Sequence, residues 1–588
     1  MRCCFCLCAV AMVSSVALAE PWQGGVREEL WPEGRIPDFQ EHQACVMVDE
    51  PKVEGKSPER SRMPYLEWFA PPMNPNGGCM IFIPGGAYEC CGGIKRFQLW
   101  HDRFTTLGYQ TVALVYRTPR PKGGLPCHQS AWEDGQRAVR LVRSQAKARG
   151  YDPEKIGAIG MSAGGHLVTL LATSAQTPAY EKVDQLDELP CHLNWGVANA
   201  PAYNTANSAA GIPYHIDGTI NEWPKASPFF KFDAKTCPIS FHHGGIDGYT
   251  PNGSTQCYRE LRRRKIPAEL HLYADLGHDA IGLERAVEFM RQMNFDGRLG
   301  PEEDRCSVTG AFTAERIREE LWPAGRMPDA QANQTNAPTL TWFVPKTLRT
   351  KAIQIVFPGG GYEFCNVVGE GLPVAEYLNA KGMTVVVVDY RCPRPQDGKL
   401  PKFWTAWVDA RRAICMVRHE ATARGLDPNR IGTMGFSAGG HLTLLTGLSS
   451  TFYLYHPVDD ADKEPCRVQW ACPIYPAYAL TDGIDKPNAK GGNSDDAVPV
   501  PEFLFDVDTP PMCFVHGDAD WWSAMNSVKV WEKLRRIGVS CDLHTLAKRV
   551  HCFQMKASPG TGSYTWMDRV WDFLERKGLV AEANRMGQ

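Results

Sequence analysis

The stretch Ile431-Gly432-Thr433-Met434-Gly435-Phe436-Ser437-Ala438-Gly439-Gly440-His441 reads as a buried strand that runs through a glycine-tight turn into a helix. Its centre is G-x-S-x-G. Glycines two positions either side of a serine carry no Cβ to meet the neighbouring backbone, so the chain can make a sharp, strained turn that holds the serine Oγ out near the amino end of a helix. Ile156 to His166 repeats the pattern around Ser162, 275 residues earlier. A strand feeding directly into a helix is part of a parallel α/β unit, and two of them predict two such units.

The 588-residue length suits about two domains. With 43% hydrophobic and 22% charged residues, a core can form and long disorder is disfavoured. The net charge of −3 suggests neither a nucleic-acid partner nor stable membrane association. Met1-Arg2, an apolar run and the small pair Ala17 and Ala19 before Glu20 read as a signal peptide cleaved after Ala19, which predicts a secreted or periplasmic protein. The run is shorter than the ~20 apolar residues a spanning helix needs. Of the 21 cysteines, four lie in that leader and an odd number remains, which cannot all pair. Beyond the leader C-x-x-C zinc patterns are absent, so no metal and no bridge is assigned.

Val26 to Asp38 returns as Ile317 to Asp329 and marks the start of each unit. Leu30 with Trp31, and Leu321 with Trp322, suit a lead-in pinned on the core. The expected organisation is a signal peptide at 1–19, a first unit at 20–298, a linker at 299–316 and a second unit at 317–588. In each unit short apolar strands alternate with helical segments, which predicts a mostly parallel sheet with helices on both faces. Asp152-Pro153 and Asp427-Pro428 read as turns into the elbow strands.

A serine needs a base within hydrogen-bond reach, and the base an orienting carboxylate. Beyond each elbow an apolar strand ends in His243-Gly244-Gly245-Ile246-Asp247 or His516-Gly517-Asp518-Ala519-Asp520. Asp518 faces Gly245 in this comparison, whereas Asp247 and Asp520 correspond, which selects Asp520 as the acid. A further strand precedes a loop with His278 or His551, each 31 residues after its acid. His271 and His544 also correspond but lie within a strand, and His166 and His441 start the elbow helices as packing or capping residues. The catalytic candidates are therefore Ser162, Asp247 and His278, and Ser437, Asp520 and His551. Their order is that of α/β-hydrolases. The glycine-rich turn after an early strand offers backbone N–H groups for an oxyanion. Gly86 and Ala87 with Ala163, and Gly360 and Gly361 with Ala438, are the candidates.

Pro358-Gly359-Gly360-Gly361-Tyr362 with Glu370-Gly371, the elbow at Ser437, the H-G-x-x-D ending at Asp520, and His551 resemble the small secreted α/β-hydrolase carboxylesterases. These include acetyl xylan esterases, bifunctional acetyl and feruloyl esterases and the hormone-sensitive-lipase-like group. The resemblance covers nearly all of both units. It implies two tandem α/β-hydrolase domains and cofactor-free serine esterase chemistry on an acylated polysaccharide or oligosaccharide. Many family members carry histidine where Pro84 and Pro358 stand. In the first unit Ala87 replaces a glycine and Lys95-Arg96-Phe97 stands opposite Gly369-Glu370-Gly371, whereas its Asp247-Gly248-Tyr249-Thr250-Pro251 follows the family's D-x-x-V-P more closely than Asp520-Trp521-Trp522-Ser523-Ala524 does, so the two pockets are expected to accept different substrates, with lower activity in the first as one open reading. Tyr88, Tyr362, Tyr249, Trp521 and Trp522 are candidates for stacking on sugar rings. Two other readings share the residues: a prolyl-oligopeptidase-type peptidase, whose propeller repeats have no counterpart in this sequence, and a carbohydrate-binding protein with one or both units inactive.

Overall fold

A computed structural model of the chain describes residues 25–45, 63–92, 94–206, 225–278, 282–293, 295, 315–481, 497–505, 509–555 and 565–581. The expected signal peptide and residues 299–314 of the expected linker lie outside the described residues.

The first half contributes strands β1 (Val26–Glu29), β2 (Tyr65–Trp68), β3 (Cys79–Ile83), β4 (Gln110–Val115), β5 (Ile156–Met161), β6 (Trp195–Asn199), β7 (Ile239–Gly244) and β8 (Ala268–Tyr273). They lie in the order β1-β2-β4-β3-β5-β6-β7-β8. The pairs β1/β2 and β2/β4 are antiparallel and the others parallel. The second half repeats this order with β9 (Glu315–Glu320), β10 (Thr339–Val344), β11 (Ile353–Phe357), β12 (Thr384–Asp389), β13 (Ile431–Phe436), β14 (Trp470–Ile474), β15 (Met512–Gly517) and β16 (Cys541–Leu546). Each half is an α/β-hydrolase sheet. Strands such as β3, β5, β11 and β13 are buried along their whole length, which is why they read as continuous apolar runs. The outermost strands β1 and β9 are charged and largely exposed, a pattern that discourages pairing with other chains.

Glycine within a strand ordinarily weakens it, and here it makes room. Gly157 lies opposite Trp195 and Gly432 opposite Trp470 in the parallel ladders. A Cβ at either glycine would overlap the indole ring of its partner. The lead-in tryptophans are buried as well: Trp31 Nε1 donates to Asp134 and Trp322 Nε1 to Asp409, both at 2.8 Å. The same carboxylates bind the guanidinium and backbone N–H of Arg117 and Arg391.

The two sheets are continuous. β8 pairs antiparallel with β16, with His271 opposite His544, so that sixteen strands form one sheet and each half covers the other's inner edge. His271 Nδ1 lies 3.2 Å from His544 Nδ1, and His271 Nε2 lies 2.8 Å from Glu269. Burial lowers both imidazole pKa values, His544 to about 4, so one ring donates and the other accepts. These strand histidines belong to the junction between halves.

Candidate active sites

β5 and β13 each run into a serine and then directly into a helix, Ala163–Thr173 or Ala438–Leu448. Ser162 has φ 57° and ψ −121°, and Ser437 φ 53° and ψ −114°, a conformation that costs a non-glycine residue about 1–3 kcal/mol. The flanking glycines permit it. A Cβ on Gly160 or Gly435 would strike the carbonyl of Gly164 or Gly439, and one on those glycines would strike Ile83 or Phe357 backbone. Ser162 and Ser437 donate their own amides to Asn199 and Ile474, which fixes the apex against the neighbouring strand.

In the second half His551 Nε2 is 2.7 Å from Ser437 Oγ, and His551 Nδ1 is 2.8 Å from Asp520 Oδ2. All three side chains are buried. Burial, the largest single influence, would lower the His551 pKa, yet the hydrogen bonds and charge interactions with Asp520 and Cys552 together outweigh it and the pKa is raised to about 9. Burial conversely opposes ionisation of Asp520, and the imidazoles of His516 and His551 hold its pKa below the ordinary value. The geometry suits an Nδ1–H donating to the carboxylate and a free Nε2 accepting from the serine hydroxyl.

The first half is assembled differently. His278 Nδ1 reaches Asp247 at 2.9 and 3.0 Å, but among the described residues no hydrogen bond joins His278 to Ser162. The His278 side chain is 35% exposed against 4% for His551, and its ring lies 4.9 Å from that of Tyr249. Acid and base are brought together here without closure onto the serine.

The histidine of each H-G-x-x-D, which the sequence reading used only as a marker, shapes the acid loop. His243 Nε2 meets the Tyr249 carbonyl at 2.7 Å and Asp247 at 3.2 Å, while its Nδ1 meets Ser254. His516 makes the equivalent contacts to Trp522, Asp520 and Ser527. The turns that carry the oxyanion candidates start close to the serines: a Cβ on Gly85 would come within 3.2 Å of the Ser162 Cβ, and one on Gly359 within 3.1 Å of the Ser437 Cβ. The amides of Gly86, Ala87 and Ala163, and of Gly360, Gly361 and Ala438, have no hydrogen-bond partner among the described residues. Gly86 and Gly360 adopt φ of 118° and 129°, where a side chain would also strike the carbonyl four residues on.

The second site has a support built from residues that the first unit does not repeat. Glu370 is buried beside Ser437, accepts the Gly359 N–H at 2.6 Å and accepts the Tyr475 hydroxyl at 2.8 Å. Burial raises its pKa, against these two hydrogen bonds. In the first half Arg96 and Ala200 occupy the corresponding sequence positions. The mismatch of Arg96 with Glu370 was visible in the sequence; Tyr475 as its partner was not.

Of the five aromatic candidates, Tyr88 and Tyr362 are buried and serve the fold. Their hydroxyls donate to the carbonyls of Ala163 and Ala438 and also meet Nδ1 of His166 and His441. Burial keeps those imidazole pKa values low, His441 at about 3, as packing residues require. Trp522 is buried too, whereas Trp521 is half exposed with its ring 5.0 Å from His551, and Tyr249 is partly exposed beside His278. The two exposed rings occupy different positions in the acid loops, so the mouths of the two sites differ.

Several known proteins are similar to this chain. The acetylxylan esterase of Xylanibacter ruminicola is 28% identical over 220 residues, which cover 36% of this chain and 42% of that protein. Esterase LipQ of Mycobacterium tuberculosis is 33% identical over 234 residues, 37% of this chain and 54% of LipQ. The chain thus spans about half or less of the length of these curated relatives. The crystal structure of an acetyl ester-xyloside bifunctional hydrolase from Caldicellulosiruptor lactoaceticus aligns with 45% of this chain and 97% of its own, at 26% identity and a TM-score of 0.38. The BD-FAE family model matches residues 68–194 and 343–534, one segment in each half, with Ser162, Ser437 and Asp520 inside them. Together these segments make up more than half of the sequence, and the chain belongs to the BD-FAE family.

Proposed function

We propose that the chain is an exported serine ester hydrolase with two α/β-hydrolase units, residues 20–298 and 317–588, that removes acetyl or similar acyl groups from polysaccharides such as xylan. The observation that carries the reading is the unbroken hydrogen-bonded chain from Ser437 through His551 to Asp520. Ser437 Oγ attacks the ester carbonyl carbon while His551 Nε2 takes the hydroxyl proton. The carbonyl π electrons move to oxygen, and the resulting oxyanion accepts hydrogen bonds from the Gly360, Gly361 and Ala438 amides. As the tetrahedral intermediate collapses, His551 returns the proton to the departing alkoxide and leaves an acyl-serine. Water, deprotonated by the same imidazole, then attacks the acyl carbon, and as the bond to Ser437 Oγ breaks the imidazolium returns the proton to that oxygen and the carboxylic acid leaves. Asp520 stabilises the imidazolium in both steps, and Ser162, His278 and Asp247 would act likewise in the first unit with Gly86, Ala87 and Ala163.

The carbohydrate part is supported by the name of the Xylanibacter ruminicola relative and by the half-exposed Trp521 beside His551, which suits stacking on a sugar face. No helix among the described residues is long and apolar enough to cross a membrane. A second reading for the first unit, ligand holding with little turnover, is favoured by the absence of a His278 to Ser162 hydrogen bond.

A fluorophosphonate probe tests the proposal. It should label Ser437, and the protein should release acetate from acetylated xylan. Label at neither serine would favour a binding protein, and peptide cleavage without ester turnover would favour a peptidase.

A further inference from the structure

The halves meet around a pseudo-twofold axis. Corresponding residues face each other across it, His271 against His544 and Arg259 against Glu532, the latter at 2.6 Å. In a symmetric pair of identical units this second contact would set like charges together, so the divergence of the two copies has made the junction specific to this arrangement. The axis also brings a helix of each half onto the acid loop of the other. Arg262, in helix Asn252–Arg263 of the first half, donates to the Asp518 carbonyl, and its counterpart Arg535 in helix Met525–Arg536 donates to the Gly245 carbonyl. Those carbonyls stand two residues before Asp520 and Asp247.

The two contacts are unequal because Asp518 replaces Gly245. The Asp518 carboxylate adds three further contacts from the first half: Arg262 at 3.2 Å, the Tyr258 hydroxyl at 2.9 Å and the Ala268 amide at 3.2 Å. Arg262 also reaches Ser523 Oγ at 3.3 Å, so the first half grips the loop on both sides of Asp520. Gly245 offers no side chain at the corresponding position, and among the described residues Arg535 holds its carbonyl alone. The better-braced acid loop belongs to the site in which serine, histidine and aspartate are joined.

We propose that Arg262, with Tyr258, is a positioning residue for the second active site, so that the first unit acts as a built-in brace for catalysis at Ser437. The inference rests on the reading of Ser437, His551 and Asp520 as a catalytic set. Arg262 touches no reacting atom and acts by fixing the loop that presents Asp520 to His551. A displacement of about 1 Å in such a group costs of the order of a hundredfold in rate.

The test is the rate of fluorophosphonate labelling at Ser437, followed by peptide mass spectrometry across pH in the full-length protein. The expected result is that Arg262→Gln slows labelling of Ser437 by roughly ten- to hundredfold and lowers the pH midpoint of the labelling profile, because a displaced Asp520 supports the imidazolium less. Tyr258→Phe should act in the same direction, Arg262→Lys should recover much of the rate, and Arg535→Gln should leave Ser437 unaffected. Thermal unfolding of each variant separates loss of fold from loss of position. Unchanged labelling rate and pH midpoint in folded Arg262→Gln would overturn the brace, as would equal slowing by Arg262→Gln and Arg535→Gln. A parent protein unlabelled at Ser437 would sink the catalytic reading itself and the brace with it.

Discussion

The Tyr475 hydroxyl donates to Glu370, whose other oxygen takes the Gly359 N–H, so one buried carboxyl ties the oxyanion turn to the strand end beside His551. The Tyr475 ring lies 5.1 Å from the imidazole. In Glu370→Ala both the Gly359 N–H and the Tyr475 hydroxyl lose their buried acceptor, at a cost of about 1–3 kcal/mol. We expect kcat for an aryl acetate to fall about tenfold with little change in KM, because the defect lies where charge develops in the transition state. Steady-state kinetics in a Ser162→Ala background would check this.

Against burial, Asp520 and Cys552 together hold His551 above the ordinary imidazole range. On the proposed mechanism its neutral form is the base, so activity at the second site should rise with pH and its acid limb should lie above 6.5, toward about 9. Asp520→Asn removes the anionic partner. The limb should then move to lower pH while kcat falls by up to ~10⁴-fold. A pH-rate profile of both proteins reads the two effects together.

Because His278 is not bonded to Ser162, the first site should contribute the smaller share of turnover. Ser162→Ala should retain most of the aryl acetate hydrolysis of the parent. Labelling of Ser162 by a fluorophosphonate should be slower than that of Ser437 within the same molecule, as timed peptide mapping would show.

Trp470 occupies the space that Gly432 leaves empty. Gly432→Ala should destabilise by about 3 kcal/mol, the upper range for overpacking, because the intruding methyl meets a rigid ring in a central strand. Thermal unfolding would register this as a lower Tm.

Much of this was legible because the chain carries its own comparison. Gly245 opposite Asp518 singled out Asp520, and the structure hydrogen-bonds Asp520 to His551. The elbows follow from local sterics, which is why glycine spacing announces them. What spacing could not announce are contacts set by how the halves dock. Asp518, set aside as a catalytic acid, is instead the anchor for Arg262 and Tyr258, which lie about 260 residues away in sequence. Tyr88 and Tyr362 looked like loop aromatics but carry left-handed φ values of 61° and 65° that turn their rings into the core. His278 has the same spacing from its acid as His551, and spacing along the chain does not fix the distance to a serine on another strand.

The most direct test of the account is the steady-state rate of aryl acetate hydrolysis by Ser437→Ala, measured beside the parent and shown to be equally folded. The account predicts a loss of most of the rate, leaving only the slower contribution of Ser162, and in Ser162→Ala/Ser437→Ala a fall of at least about 10³-fold. A Ser437→Ala protein that hydrolyses the ester as fast as the parent would contradict it.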